Sequence, residues 1–462
     1  MHAWRRTMAP LSAGLLLSAC SVMPVYERPA LPVPDRFPHA APAVGDAEAA
    51  SLEWERFFAE PQLRGLIATA LSNNRELRAA IANIEQARAQ FDIRNAERVP
   101  NVGVGVNASR ARGVTGDPVT TYSAGLLVTS WEIDFFGRIA SLGEVARAQF
   151  LATREAARAT QVALVGSVAT AWLNLLADEE LLALARSTLQ TRAESLRLVK
   201  LRFDNGASSE LDLRQAESLA ESARVVLAQA QRQRLLDQHT LDLLLGQALP
   251  ADFRAATTLD GVALPQLPAG LPSQVLVQRP DVRQAEMQLV TANANIGAAR
   301  AAFFPRITLT AGLGSASAEL GSLFQGGTWA FTAAPQLLQT VFDAGRNRST
   351  LRASEAARDI AVAQYERAIQ AAFREVADGL AGRRLLAEQL AAQQRVAEAE
   401  ATRLRLSQLR YDAGVSSSLE LLDAQRSTFT ARQAVIQNRL QVLLNQVALY
   451  RALGGGWTEL AP

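Results

Sequence analysis

The chain states one structural theme twice, and that repetition limits what it can fold into. The stretch "LRFDNGASSELDL" (201–213) returns 208 positions later as "LRYDAGVSSSLEL" (409–421), keeping Leu, Arg, an aromatic, Asp, Gly, two Ser, Leu, a carboxylate and Leu in order. Gly137-Arg138 and Gly345-Arg346 hold the same offset, while Leu77-Arg78 matches Val282-Arg283 and Pro100 matches Pro305 at an offset of 205. A drift of only three residues implies duplication of one unit, with length changes confined to loops. The predicted layout is a first repeat over 61–270 and a second repeat with a C-terminal segment over 271–462.

Each copy presents the same order of elements. A helical segment comes first, 61–97 and then 271–302, the latter after the Pro-rich "LPQLPAGLPS". A Pro follows, and the apolar period changes to two. Val102, Val104 and Val106 alternate with Gly103, Gly105 and Asn107; Ile307, Leu309, Ala311 and Leu313 alternate with Thr308, Thr310, Gly312 and Gly314. Turn segments (112–118 and 315–327) lead to returning strands marked by Tyr122, Ala124, Leu126 and Val128, and by Trp329, Phe331 and Ala333. One apolar and one small or polar face suits a strand of a membrane β-barrel. Each copy then enters a very long helix, about 138–202 and 346–410. At ~1.5 Å per residue such a helix reaches roughly 100 Å. Spacings near seven (Leu182, Leu189, Leu196, Phe203; Leu422, Phe429, Ile436, Leu443) predict coiled-coil packing between outgoing and returning helices.

The N-terminus reads as an export signal over 1–19. "MHAWRRTMAPLSAGLLLSAC" ends in Leu-Ser-Ala-Cys, the form of a bacterial lipoprotein signal, so Cys20 is expected to carry a covalent lipid. The following Pro-dense segment, 20–60, reads as an extended tether. Arg5 and Arg6 account for the formal charge of +2, so the remainder is balanced and nucleic acid is not an expected partner. After Cys20 no apolar run reads as long enough for a spanning helix, so membrane crossing falls to the strands. Four strands cannot close a barrel, and an open sheet leaves unpaired edges in lipid, so several chains must contribute. Cys20 is the single cysteine, and His239 the single histidine beyond the signal and tether, which leaves no catalytic or metal site to propose and no cofactor other than the lipid.

Taken together, these stretches resemble the outer-membrane factors of tripartite efflux systems, the TolC-like channels, and most closely the OprM-like lipoprotein branch. The resemblance runs through nearly the whole chain from Cys20 and is most specific in "RPDVRQAEMQLVTANANIGAARAAFFPRITLTAGLG" (279–314), "SWEIDFFGR" (130–138), "REVADGLAGR" (374–383) and "YDAGVSSSLELLDAQRS" (411–427). It implies a homotrimer: a mainly α chain whose three copies build a 12-stranded outer-membrane β-barrel continued by a periplasmic α-helical coiled-coil barrel. The implied partners are a periplasmic adaptor (membrane fusion) protein and an inner-membrane RND-type pump, in a passive exit duct for drugs or other small molecules. Ser21 beside the lipidated position resembles lipoproteins kept in the outer membrane. A type I protein secretion duct shares this fold, and a non-conducting coiled-coil envelope lipoprotein is the reading that the period-two strand pairs oppose.

The repeated turns carry two expectations. Structurally, Gly206 and Gly414 end one helix in a left-handed turn, Ser209 and Ser417 cap the next, and Asp212 and Glu420 stand where a capping-box carboxylate belongs. By resemblance, Asp212, Glu420 and Asp423 take the positions of acidic constriction groups at a periplasmic gate, Tyr411 matches an aromatic that closes it, and Phe203 joins the set. Ser416 departs from the Arg or Asp of relatives.

Overall fold

The computed structural model describes residues 22–38, 53–112, 116–250, 253–265, 267 and 273–456. Cys20 and the 1–19 signal lie outside the described residues. Chain order gives α1 (Trp54–Phe57), α2 (Pro61–Asn73), α3 (Arg75–Ala96), β1 (Val102–Arg112), β2 (Pro118–Glu132), α4 (Arg138–Asp204) and α5 (Glu210–Leu245). The series recurs as α6 (Pro280–Ala301), β3 (Arg306–Ser317), β4 (Trp329–Leu338), α7 (Arg346–Asp412) and α8 (Ser418–Ala452). Both α4 and α7 hold 67 residues, and their first and last residues keep the 208 offset.

The described residues form two compact units, and both draw on both repeats: one takes those within 22–30, 82–154 and 283–367, the other those within 31–81, 155–282 and 368–456.

The first unit holds a four-stranded antiparallel sheet of order β1-β2-β3-β4. Its register aligns like with like. Val104 faces Leu126, Leu126 faces Leu313, and Leu313 faces Phe331, so residues of period two on all four strands share one apolar face. Gly103, Gly105, Asn107, Ser123, Thr332 and Gln336 fall on the other. Gly125 pairs with Gly314 so closely that a Cβ on either would meet the partner backbone, at 2.3 Å from the Leu313 carbonyl oxygen or 2.1 Å from that of Ala124. Strand β3 continues through Ser317, beyond the predicted turn start at 315, because Tyr122 and Ser123 of the long β2 still offer it partners. Between Val128 and Trp131 the register shifts, and Ser130 takes φ 53° there.

The N-terminal segment expected as a tether is extended but docked. Arg28 pairs bidentately with Glu286 of α6 (2.7 and 3.0 Å), and the Tyr26 hydroxyl donates to the same carboxylate at 3.0 Å. Asn293 donates to the Pro24 carbonyl at 2.9 Å, and Gly297 leaves room for Met23. Farther along, the tether reading gives way to a folded piece, with Trp54, Phe57 and Phe58 buried.

In the second unit the predicted continuous helix 61–97 is interrupted. Asn74 is extended (φ −60°, ψ 129°), its Oδ1 accepts the Leu77 N–H at 2.9 Å, and its Nδ2 donates to the Leu244 carbonyl at 2.9 Å. Arg279 repeats the contact by donating from Nη1 to the Ala452 carbonyl at 2.7 Å, and the helix expected from 271 begins regular α structure only at Pro280. A side chain in each copy thus satisfies an orphan carbonyl at the end of the returning helix. Phe57 stacks on Tyr450 at 4.0 Å, and Trp172, Leu173, Leu175 and Leu176 form a buried run within α4. Contrary to the sequence reading, α4 contains an 18-residue window apolar enough for a membrane span; 67% of it is buried inside the protein, as in a core helix.

The helix seam matches the predicted one only in part: Leu182, Ile436 and Leu443 are buried as expected. Toward the tips the covered positions are instead Leu213, Ala216, Ala220 and Ala223 on α5, and Leu421, Ala424, Thr428 and Ala431 at the equivalent places on α8. Leu189, Leu196, Leu422 and Phe429 are half-buried, and Phe203 is exposed. Small side chains let the helices approach, so an apolar-size criterion misses them.

Candidate functional site

The turns after α4 and α7 share one backbone. Gly206 and Gly414 both adopt φ 70°, where a Cβ would be strained. The Ala207 N–H reaches the Arg202 carbonyl (2.8 Å) and the Gly206 N–H that of Phe203 (2.9 Å), while Val415 and Gly414 donate in the same way to Arg410 and Tyr411 (both 3.0 Å). This double closure satisfies the last carbonyls of each long helix.

Side chains then distinguish the two turns. Ser209 Oγ accepts the Asp212 N–H at 3.1 Å, and the Ser209 N–H donates back to Asp212 Oδ2 at 3.3 Å, a complete capping box. Ser417 has the corresponding N-cap backbone (φ −78°, ψ 159°), yet its side chain makes no capping bond. The expected Ser417 cap is therefore absent. Glu420 turns instead toward α7, where Ser407 Oγ donates at 3.5 Å and Arg410 Nε lies at 3.5 Å.

Asp212 does more than cap. Its Oδ2 accepts from Ser209 Oγ at 2.7 Å, and its Oδ1 accepts from Ser418 Oγ at 2.6 Å, which ties the first turn to the start of α8. The Ser418 and Ser209 hydroxyls hold this carboxyl below the usual carboxylate range. Arg202 of α4 donates to the Tyr411 hydroxyl at 2.6 Å with its guanidinium 5.2 Å from the ring centroid, a second link between the hairpins. Asp423 is neutralised by Arg403 and by Arg426 (2.6 Å), and the Arg403 bond holds its carboxyl below the ordinary range. Arg214, Asp423 and Arg426 line a groove between α5 and α8. Of the three acids singled out in the sequence, Asp212 alone is held by hydroxyls and backbone rather than by an arginine.

The structure thus brings Asp212, Tyr411, Glu420 and Asp423 into a network of cross-hairpin and intra-hairpin bonds, while the Phe203 ring stays exposed and its carbonyl closes the turn. Sequence reasoning missed Arg202, Arg403, Arg410, Ser418 and Arg426. Arg202 and Arg410 were visible as equivalent residues of the repeat; their divergent partners, Tyr411 and Glu420, were not. Ser416 Oγ is buried without a hydrogen-bond partner. No group of three or more His, Cys, Asp or Glu side chains among the described residues is placed to hold a metal.

The model of the outer membrane efflux protein family matches residues 66–247 and again 271–455. This chain belongs to that family. The toluene efflux pump outer membrane protein TtgC of Pseudomonas putida is 44% identical over 459 residues, covering 96% of this chain and 94% of that protein. Outer membrane protein OprJ of Pseudomonas aeruginosa is 41% identical over 464 residues, covering 98% and 96%. The open-state crystal structure of the MtrE outer membrane channel of Neisseria gonorrhoeae superposes with TM-score 0.86 at 38% identity, covering 95% of this chain and 98% of that one. The family is one of transport channels, not of enzymes, and its member here is an outer-membrane efflux component that extends into the periplasm.

Proposed function

We propose that three copies of this chain form the passive exit duct of a tripartite efflux system. The supporting observation is the sheet order: β1 and β4 each keep one unpaired edge, and a sheet with an apolar face and two open edges is not viable in lipid. Three such sheets, edge to edge, give the 12-stranded barrel, and the long hairpins continue it as a helical tube. Energy comes from an inner-membrane RND-type pump through a periplasmic adaptor. The relatives named for toluene efflux favour small molecules over polypeptides as cargo. Cys20 carries the lipid, and the docked 22–30 segment holds that anchor to the strand-bearing unit.

The tip network serves as the gate. Asp212–Ser418 and Arg202–Tyr411 hold the two hairpins of a chain together in the closed mouth, and opening requires these links to break. Conductance of purified protein in planar bilayers tests the duct: discrete channels are expected, and protein that inserts without conducting would favour a purely structural envelope lipoprotein.

A further inference from the structure

We propose that Arg110 and Arg112 form an anion site at the outer end of β1 that holds a phosphorylated glycolipid of the outer leaflet. Both residues lie on the even-numbered face of β1, the face of Val102, Val104, Val106 and Ala108. Pairing with β2 sets Ala108 opposite Tyr122, Arg110 opposite Thr120 and Arg112 opposite Pro118. The apolar run therefore ends at an aromatic, and two cations stand one and two steps beyond it on the same face.

Distances agree with an interfacial position. At ~3.4 Å per residue, Arg110 lies ~27 Å and Arg112 ~34 Å along the strand from Val102. A tilt of ~40° reduces these to roughly 21 and 26 Å of height, against an apolar band of ~25 Å. The β1–β2 connection lies at the strand ends away from α3 and α4, hence on the exterior side. Both arginines are exposed, neither has an ion-pair partner among the described residues, and Asp117 is the one acid between 108 and 122. An Arg stem lies along apolar surface while its planar fork takes phosphate oxygens in bidentate fashion. Two forks about 7 Å apart on one strand face suit a headgroup with phosphate exposed at the leaflet surface.

The proposal rests on the reading that this face of β1 meets lipid. Its test is titration of the full-length protein in detergent with lipid A, dephosphorylated lipid A and phosphatidylglycerol, followed by native mass spectrometry and by channel recording. Wild type is expected to bind lipid A at least tenfold more tightly than either control. R110Q/R112Q should lose at least tenfold while keeping its ion selectivity, and R110K/R112K should bind with intermediate affinity. Equal binding of the controls, or full binding by R110Q/R112Q, would overturn the site. If R110Q/R112Q cannot be inserted, full-strength binding by R110K/R112K would overturn the need for the guanidinium fork. Altered ion selectivity with lipid A binding intact would place both arginines in the lumen and overturn the facing itself.

Discussion

The Ser418 hydroxyl donates to the Asp212 carboxylate at 2.6 Å, joining residues 206 positions apart at the ends of the two helical hairpins. Ser418 stands where the first repeat has Glu210, so the link exists because the two copies diverged at this position. A hydroxyl–carboxylate bond of this kind contributes about 1 kcal/mol where solvent reaches it. Ser418→Ala should therefore raise the open fraction of single channels roughly threefold to fivefold, without changing unitary conductance. An unchanged open fraction would remove this bond from the gate.

The same carboxyl sets a pH expectation. Its folded-state pKa is depressed, so its contribution is fully present above the ordinary carboxylate pKa of about 3.9 and is lost as pH falls through the lower folded value. Open probability of wild type should show no step from this group between pH 7 and pH 5. Asp212→Asn should open the mouth throughout that range.

The gate role proposed for Glu420 and Asp423 rests on charge in a different setting. Each sits beside arginine: Arg410 for Glu420, Arg403 and Arg426 for Asp423. Glu420→Gln with Asp423→Asn removes two negative charges per chain and releases those cations, so cation preference measured by reversal potential should fall. Unchanged selectivity would leave both acids as ion-pair partners within their hairpin.

The docked N-terminal segment makes a stability forecast. Glu286 is 3% exposed and depends on Arg28 and Tyr26 for its partners. Arg28→Ala leaves a buried carboxylate half-satisfied and should cost about 2–3 kcal/mol in denaturant unfolding. Arg28→Met with Glu286→Met should recover most of that loss. Equal loss in the double variant would mean that the cost does not come from a carboxylate left buried and unpaired.

Much of this molecule was legible in the sequence because duplication exposes it. The 208 offset located both long helices to within two residues at their ends, and period-two alternation gave all four strands and their shared face. The break at Asn74 was not legible, because an Asn at a helix interruption needs the Leu244 carbonyl, a partner distant in sequence. The Ala-rich seam was hidden for a related reason: Ala216 and Ala424 are covered by what approaches them, not by their own apolar bulk. At the tips, glycine positions followed from backbone chemistry alone. The missing Ser417 cap depended on where Glu420 turned, which Arg410 and Ser407 decide.

The mass of the detergent-solubilised full-length protein tests the shared barrel, because the open edges of β1 and β4 require partner chains. Native mass spectrometry should give three times the mature chain mass, lipid included, with no stable monomer in mild detergent. A monodisperse monomer that still conducts in bilayers would contradict the shared barrel and the tube built upon it.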